Sequence, residues 1–129
     1  MWRYSQKTGE LFLDDIHIAT GYSGHGDSKN HPADEALHNR GPIPRGDYTI
    51  LAPRDTVEHG PCVLPLRPDS ENKMYGRGGF LIHGDSIKAP GTASLGCIIL
   101  SRVIRQRIWD SDDHELTVVE KHELVTETL

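Results

Sequence analysis

Apolar and polar positions alternate with a period of two in several short segments, the spacing of a strand with one buried face. Trp2 and Tyr4 alternate with Arg3 and Ser5, Leu11-Phe12-Leu13 is a short apolar run, and Ile16–Thr20 alternates again. Turn residues at Lys7-Thr8-Gly9 and Asp14-Asp15 separate the three predicted strands. The next segment, Tyr22 to Pro32, has no periodic apolar face and predicts a long surface loop. Pro32–His38 reads as a short helix, with proline in its first turn and acids at its positive end. Gly41-Pro42-Ile43-Pro44-Arg45-Gly46 breaks it with turn chemistry.

Strands are predicted at Asp47–Leu51, Cys62–Leu66 and Phe80–His83, and Pro65 argues for an edge position for the second. Gly84 to Gly96 reads as a loop, and Cys97-Ile98-Ile99-Leu100 as a strand. Ser101 is the expected N-cap of a helix through Trp109 with Val103, Ile104 and Ile108 on one face. Leu116–Val119 is the last predicted strand, and from Glu120 the chain is mostly polar, fraying or extending that strand. The class is mainly β with two short helices, in one domain over residues 1–129.

Composition narrows the function. The formal net charge of −5 argues against a nucleic-acid surface and a polybasic membrane patch. No apolar stretch approaches the roughly 20 residues of a membrane span, and the N-terminus lacks a signal peptide's basic-then-apolar pattern. The 13 glycines and 8 prolines suit short strands joined by turns better than a helix bundle. Two cysteines, Cys62 and Cys97, do not make a disulfide framework.

The chemistry concentrates in Gly79-Phe80-Leu81-Ile82-His83-Gly84-Asp85 and Ser94-Leu95-Gly96-Cys97-Ile98. One apolar run delivers a histidine into a glycine-containing turn, and a second glycine-framed segment delivers a cysteine at the head of another. At neutral pH a free thiol, pKa roughly 8.5, is only a few per cent thiolate. A neighbouring imidazole raises that fraction and holds the sulfur by a hydrogen bond, the logic of Cys–His acyl transfer. The N–H groups of Leu95, Gly96 and Cys97 are the candidate oxyanion donors. The Gly84 carbonyl and the Asp85 carboxylate are the candidates for orienting His83. Cys62, which lacks a glycine-framed loop, reads as a buried, inert thiol.

His-Gly followed by Ser-x-Gly-Cys-Ile resembles the L,D-transpeptidase (YkuD-type) signature. The wider pattern is similar to the small L,D-transpeptidase-related effectors of type VI secretion systems. It comprises Gly21-Tyr22-Ser23-Gly24, Gly41-Pro42-Ile43-Pro44-Arg45-Gly46-Asp47-Tyr48 and Gly76-Arg77 to Asp85, so the resemblance runs from about Trp2 to about Val119. It implies a compact L,D-transpeptidase-like β-sandwich or barrel with one or two short helices. Cys97 matches the nucleophile, His83 the base, Ser94 the residue supporting the cysteine loop, and Gly96 the motif glycine. Leu95 replaces the histidine that precedes Gly-Cys in housekeeping transpeptidases, and Ile99 stands where those often carry Arg or Asn.

The implied substrate is a peptidoglycan tetrapeptide stem, trimmed, exchanged or cross-linked through a thioester without metal or organic cofactor. Arg77 is a candidate fork for the terminal carboxylate, with Tyr22 and Ser23 as candidate cleft residues. The resemblance further implies a secretion apparatus, a cognate immunity protein and action in the periplasm of a target bacterium. Two alternatives stay open: a module that binds cell-wall peptide without turnover, and a different cysteine amidase or endopeptidase. The papain-like class, however, places cysteine before histidine at a helix start. A metal site is disfavoured, because His25, His31 and His38 lack H-E-x-x-H, H-x-H or C-x-x-C spacing.

Overall fold

The computed structural model describes residues 1–123. The chain forms β1 (Trp2–Ser5), β2 (Glu10–Leu13), β3 (Ile16–Thr20), β4 (Tyr22–Ser23), β5 (Gly46–Ile50), β6 (Arg54–Thr56), β7 (Gly60–Pro68), β8 (Leu81–His83), β9 (Ile98–Ile99), α1 (Arg102–Asp110) and β10 (Glu115–Val119). It is a mainly β fold, as the alternation and turn content imply, with one α-helix where two short helices were expected. Of the polar tail from Glu120, residues 124–129 lie outside the described residues.

The strands hydrogen-bond in the order β3-β2-β1-β10-β5-β7-β8-β9-β4, with β6 pairing β7 off this path. β3 and β4 stand at opposite ends of that order yet are separated in the chain by Gly21 alone. The sheet therefore has to curl until its two ends nearly meet, and the result is a nearly closed, barrel-like sheet. Gly21 sits at the seam. A Cβ there would lie 1.8 Å from the Ile99 carbonyl oxygen, so only glycine lets the two backbones approach this closely. Inside, Trp2, Tyr4, Leu11, Ile50, Leu64, Ile82, Ile98, Ile108 and Leu116 form one contiguous apolar core.

Three local expectations are corrected. Pro65 does not mark an edge: β7 pairs β5 and β6 on one side and β8 on the other. Proline is tolerated because β5 has ended at Ile50, opposite Leu66, and β6 begins with Arg54 opposite Val63, so no donor is needed in the gap. The Pro32–His38 helix shrinks to a single 3₁₀ turn, Pro32–Asp34, because Glu35 is drawn into the interior while Leu37 stays exposed. On α1, Ser101 does cap the helix by accepting the Ile104 N–H, but Val103 is 77% exposed. The buried positions are Arg105 and Ile108.

Candidate active site

β8 and β9 are parallel neighbours, with Ile82 opposite Ile98 and His83 opposite Ile99. Their buried isoleucines anchor both strands in the core, so the polar residues at their ends are held by a rigid frame. Cys97 immediately precedes β9, and its sulfur accepts the Leu81 N–H at 3.3 Å. His83 is two register positions further along β8, roughly 7 Å of strand rise.

The cysteine loop is built on Ser94, which is fully buried. Its hydroxyl donates to the Cys97 carbonyl at 2.5 Å and accepts the N–H groups of Gly24 (2.9 Å) and Gly96 (3.1 Å). Ser23 supports the loop from the other side, donating to the Gly96 carbonyl at 2.7 Å and accepting the Ile43 N–H at 2.9 Å. Gly96 has φ +144°, and a Cβ there would come within 2.5 Å of Arg77 Nη2 and 2.9 Å of Phe80 Cε1. Its N–H is spent on Ser94. Among the described residues the Leu95 and Cys97 N–H groups have no acceptor within the chain, so of the three candidate oxyanion donors these two remain available.

Arg77 and Ser23 differ from the open substrate contacts expected of them. Arg77 Nη1 donates to the carbonyls of Glu35 (2.6 Å) and Pro42 (2.9 Å), and Nη2 to those of Gly41 (2.9 Å) and Leu95 (3.2 Å). With both terminal nitrogens committed to backbone, the guanidinium ties the 41–42 segment to the cysteine loop rather than presenting a fork. Ser23, fully buried with its hydroxyl already bridging two backbone groups, does not face the cleft. Tyr22 is half-buried. Its hydroxyl donates to Asp85 Oδ1 at 2.5 Å and accepts the Ala93 N–H at 3.0 Å, closing the 84–96 loop onto β4.

Asp85 is thereby occupied with Tyr22 and with the Ser86 and Gly91 N–H groups, and the Gly84 carbonyl is the group bonded to His83. His83 Nδ1 lies 2.8 Å from that carbonyl. Since a carbonyl only accepts, Nδ1 carries the proton and Nε2 keeps its lone pair. Burial holds the His83 pKa below its ordinary value, the Gly84 bond opposes this, and the charges of His59 and Arg105 add to it. The ring is therefore neutral at neutral pH, the form a base requires.

The direct thiol–imidazole hydrogen bond is not formed: Cys97 and His83 open onto different clefts. Cys97 lines a cleft of about 240 Å³ with His38, Asn39, the Gly76-Arg77-Gly78-Gly79 segment and Phe80. His83 lines a second cleft with His59, Asp85 and Arg105. Burial pushes the Cys97 thiol pKa up, opposed by the Leu81 N–H and the Arg77 charge, so the resting group is a thiol. Cys62 is buried, its Sγ 3.8 Å from Gln106 Oε1.

Two buried charged residues escaped the sequence reasoning. Glu35 accepts from Gln6 Nε2, the Arg45 N–H and guanidinium, and Tyr75 Oη. Burial would raise its pKa, but these bonds outweigh that and bring it down to about 2. Nothing in a lone glutamate before an alanine signals such a hub. Arg105 was findable, because positions 104, 105 and 108 share one helical face. His31 and His38 are exposed, and among the described residues no group of three or more His, Cys, Asp or Glu is placed to hold a metal ion.

A model of the Tlde1 domain matches residues 17–123, which takes in every residue of both clefts. The chain belongs to the Tlde1 domain family. This is a family of type VI secretion effectors, in keeping with the effector resemblance of the sequence. No curated protein and no solved structure shows a significant match. Among the described residues no helix of this Tlde1 domain is long and apolar enough to cross a membrane.

Proposed function

We propose that this Tlde1 domain is a cysteine-dependent acyl transferase acting on peptidoglycan tetrapeptide stems as an antibacterial effector. The observation that carries this reading is the cysteine loop. A thiol at the edge of a cleft is flanked by two uncommitted backbone N–H groups, beside a strand that ends in a neutral histidine.

In this reading Cys97 Sγ attacks the carbonyl between the L-centre of the diamino acid and the terminal D-alanine. The thiol proton passes to His83 Nε2, and the oxyanion is met by the Leu95 and Cys97 N–H groups. His83 then returns the proton to the departing D-alanine amine, leaving a thioester on Cys97. Water resolves it in trimming, a free D-amino acid in exchange, and the amine of a second stem in cross-linking. The route requires the Cys97 side chain to close on His83 when substrate binds, since the two sit two register positions apart on neighbouring strands and catalytic hydrogen bonds often form only in the bound state. Action in the periplasm of a target bacterium and a cognate immunity protein belong to the same proposal.

The raised thiol pKa favours a second reading, a module that binds cell-wall peptide without turning it over. Incubation with purified muropeptides, followed by mass spectrometry, separates the two. Loss of D-alanine from the tetrapeptide that disappears in both Cys97→Ala and His83→Ala supports the enzyme. Unchanged tetrapeptide with measurable binding supports the module.

A further inference from the structure

The cleft on which His83 opens holds a second imidazole. His59, in the turn between β6 and β7, stacks its ring on that of His83, with centroids 4.1 Å apart and planes inclined by 26°. The turn is itself secured. The His59 N–H donates to Thr56 Oγ1 at 2.9 Å, and just beyond it Arg105 clamps the carbonyls of Cys62 (2.8 Å) and Pro61 (3.1 Å). The third arm of the same guanidinium takes the Leu100 carbonyl at 2.5 Å, and the Leu100 N–H donates to the His83 carbonyl at 3.1 Å. One buried arginine thus ties the His59 hairpin to the strand pair that carries His83 and Cys97.

Among the described residues the His83 ring has a single hydrogen bond, from Nδ1 to Gly84, which leaves it free to tilt about that contact. A face-to-face neighbour removes that freedom and keeps water off one face. We infer that His59 is a positioning residue for His83, holding its imidazole in one orientation about the Nδ1–Gly84 bond. The inference rests on the reading of His83 as the general base.

The stack also carries a pH consequence. The titratable and charged groups lining this cleft with His83 are Glu58 and His59 from the hairpin, Asp85 and Lys88 from the following loop, and Arg102 and Arg105 from α1. A proton on His59 opposes a second one on His83, as does Arg105, whereas Asp85 favours it. Replacing His59 by phenylalanine keeps the stack and removes the charge. Replacing it by alanine removes both.

The test compares the full chain with His59→Ala and His59→Phe, following tetrapeptide turnover across pH and the His83 imidazole titration by NMR. His59→Ala should lower kcat roughly tenfold or more with little change in KM, the cost of a misplaced base. His59→Phe should recover most of kcat. Both variants should move the acid limb of activity and the His83 titration to higher pH. Unchanged kcat and unchanged titration in His59→Ala would overturn the inference. Equal loss in both variants, tracking a fall in thermal stability, would overturn it too by assigning His59 a merely structural role. If the wild-type chain turns over no muropeptide, the enzymatic reading fails. The NMR titration still decides separately whether His59 governs His83.

Discussion

The Leu81 N–H donates to the Cys97 sulfur at 3.3 Å, across the register that aligns β8 with β9. This bond and the Arg77 charge favour the thiolate, yet burial is the larger influence and leaves the resting group protonated. The thiol proposed as nucleophile is therefore held in place but not pre-ionised. Alkylation of Cys97 by iodoacetamide, read by mass spectrometry, should keep rising with pH through the ordinary thiol range. Cys62, buried on β7, should label more slowly in the native protein. A Cys97 rate that levels off below neutral pH would contradict this account.

Gly96→Ala should disable the cysteine loop. The added methyl group meets Arg77 Nη2 at 2.5 Å and Phe80 Cε1 at 2.9 Å, and the φ of +144° is strained for any L side chain. A loss of roughly 1–3 kcal/mol in chemical denaturation is expected, together with loss of Cys97-dependent turnover. Wild-type stability and turnover would show that the loop does not need this conformation.

Ser94→Ala deletes one donor and one acceptor that serve three backbone groups in a dry site. Leaving the Gly24 and Gly96 N–H groups unpaired should cost roughly 2–3 kcal/mol. Cys97 should become more accessible to alkylation as its carbonyl is released. Ser94→Thr, which keeps the hydroxyl, tests whether the hydrogen bonds rather than the vacated volume matter. If it restores neither stability nor protection, the bonds are not the cause.

Acid should destabilise the fold through Glu35. Its carboxylate is held at about 2, below the ordinary glutamate range, so the unfolded chain binds the proton more readily than the folded one. The resulting stability is fully present above pH ~4.5 and is lost as pH falls from there through about 2. Allowing for solvent screening at half-exposed Arg45, the contribution is roughly 2 kcal/mol. Urea titrations of wild type and Glu35→Gln should converge as pH drops over that window. A constant gap between them would remove Glu35 from the account.

His83 gives the opposite end of the pH range. Its folded pKa lies below the usual histidine value, so the unfolded state takes up the proton first and the fold weakens as pH falls below about 6.5. In His83→Phe the part of the stability slope near that pH should flatten, as measured by thermal melts in buffers from pH 5 to 8. An unaltered slope would show that His83 is not the titrating group.

How much of this was legible beforehand depended on the kind of interaction. The core strands announced themselves, because alternation in Trp2–Ser5, Asp47–Leu51 and Leu116–Val119 reports a local periodicity that burial preserves. The Pro32–His38 helix did not form, because Glu35 is stabilised more by Arg45, Gln6 and Tyr75 than by a helical turn. All three partners are distant in sequence. Arg77 read as a substrate fork for the same reason: nothing local says that its terminal nitrogens already hold four carbonyls.

The sequence by itself determined the fold class, the strand that ends in His83 and the glycine-framed segment that delivers Cys97, since each rests on periodicity or backbone freedom within a few residues. It also carried the match over residues 17–123 that places the chain in the Tlde1 domain family. Only the tertiary structure decided that Gly84 rather than Asp85 is bonded to His83, that His59 stacks on the ring, and that the thiol and imidazole open onto separate clefts. Those relationships depend on the curl of the sheet and on the carbonyls that Arg77 and Arg105 collect. They are set by distances between segments far apart in the chain, which no local pattern encodes.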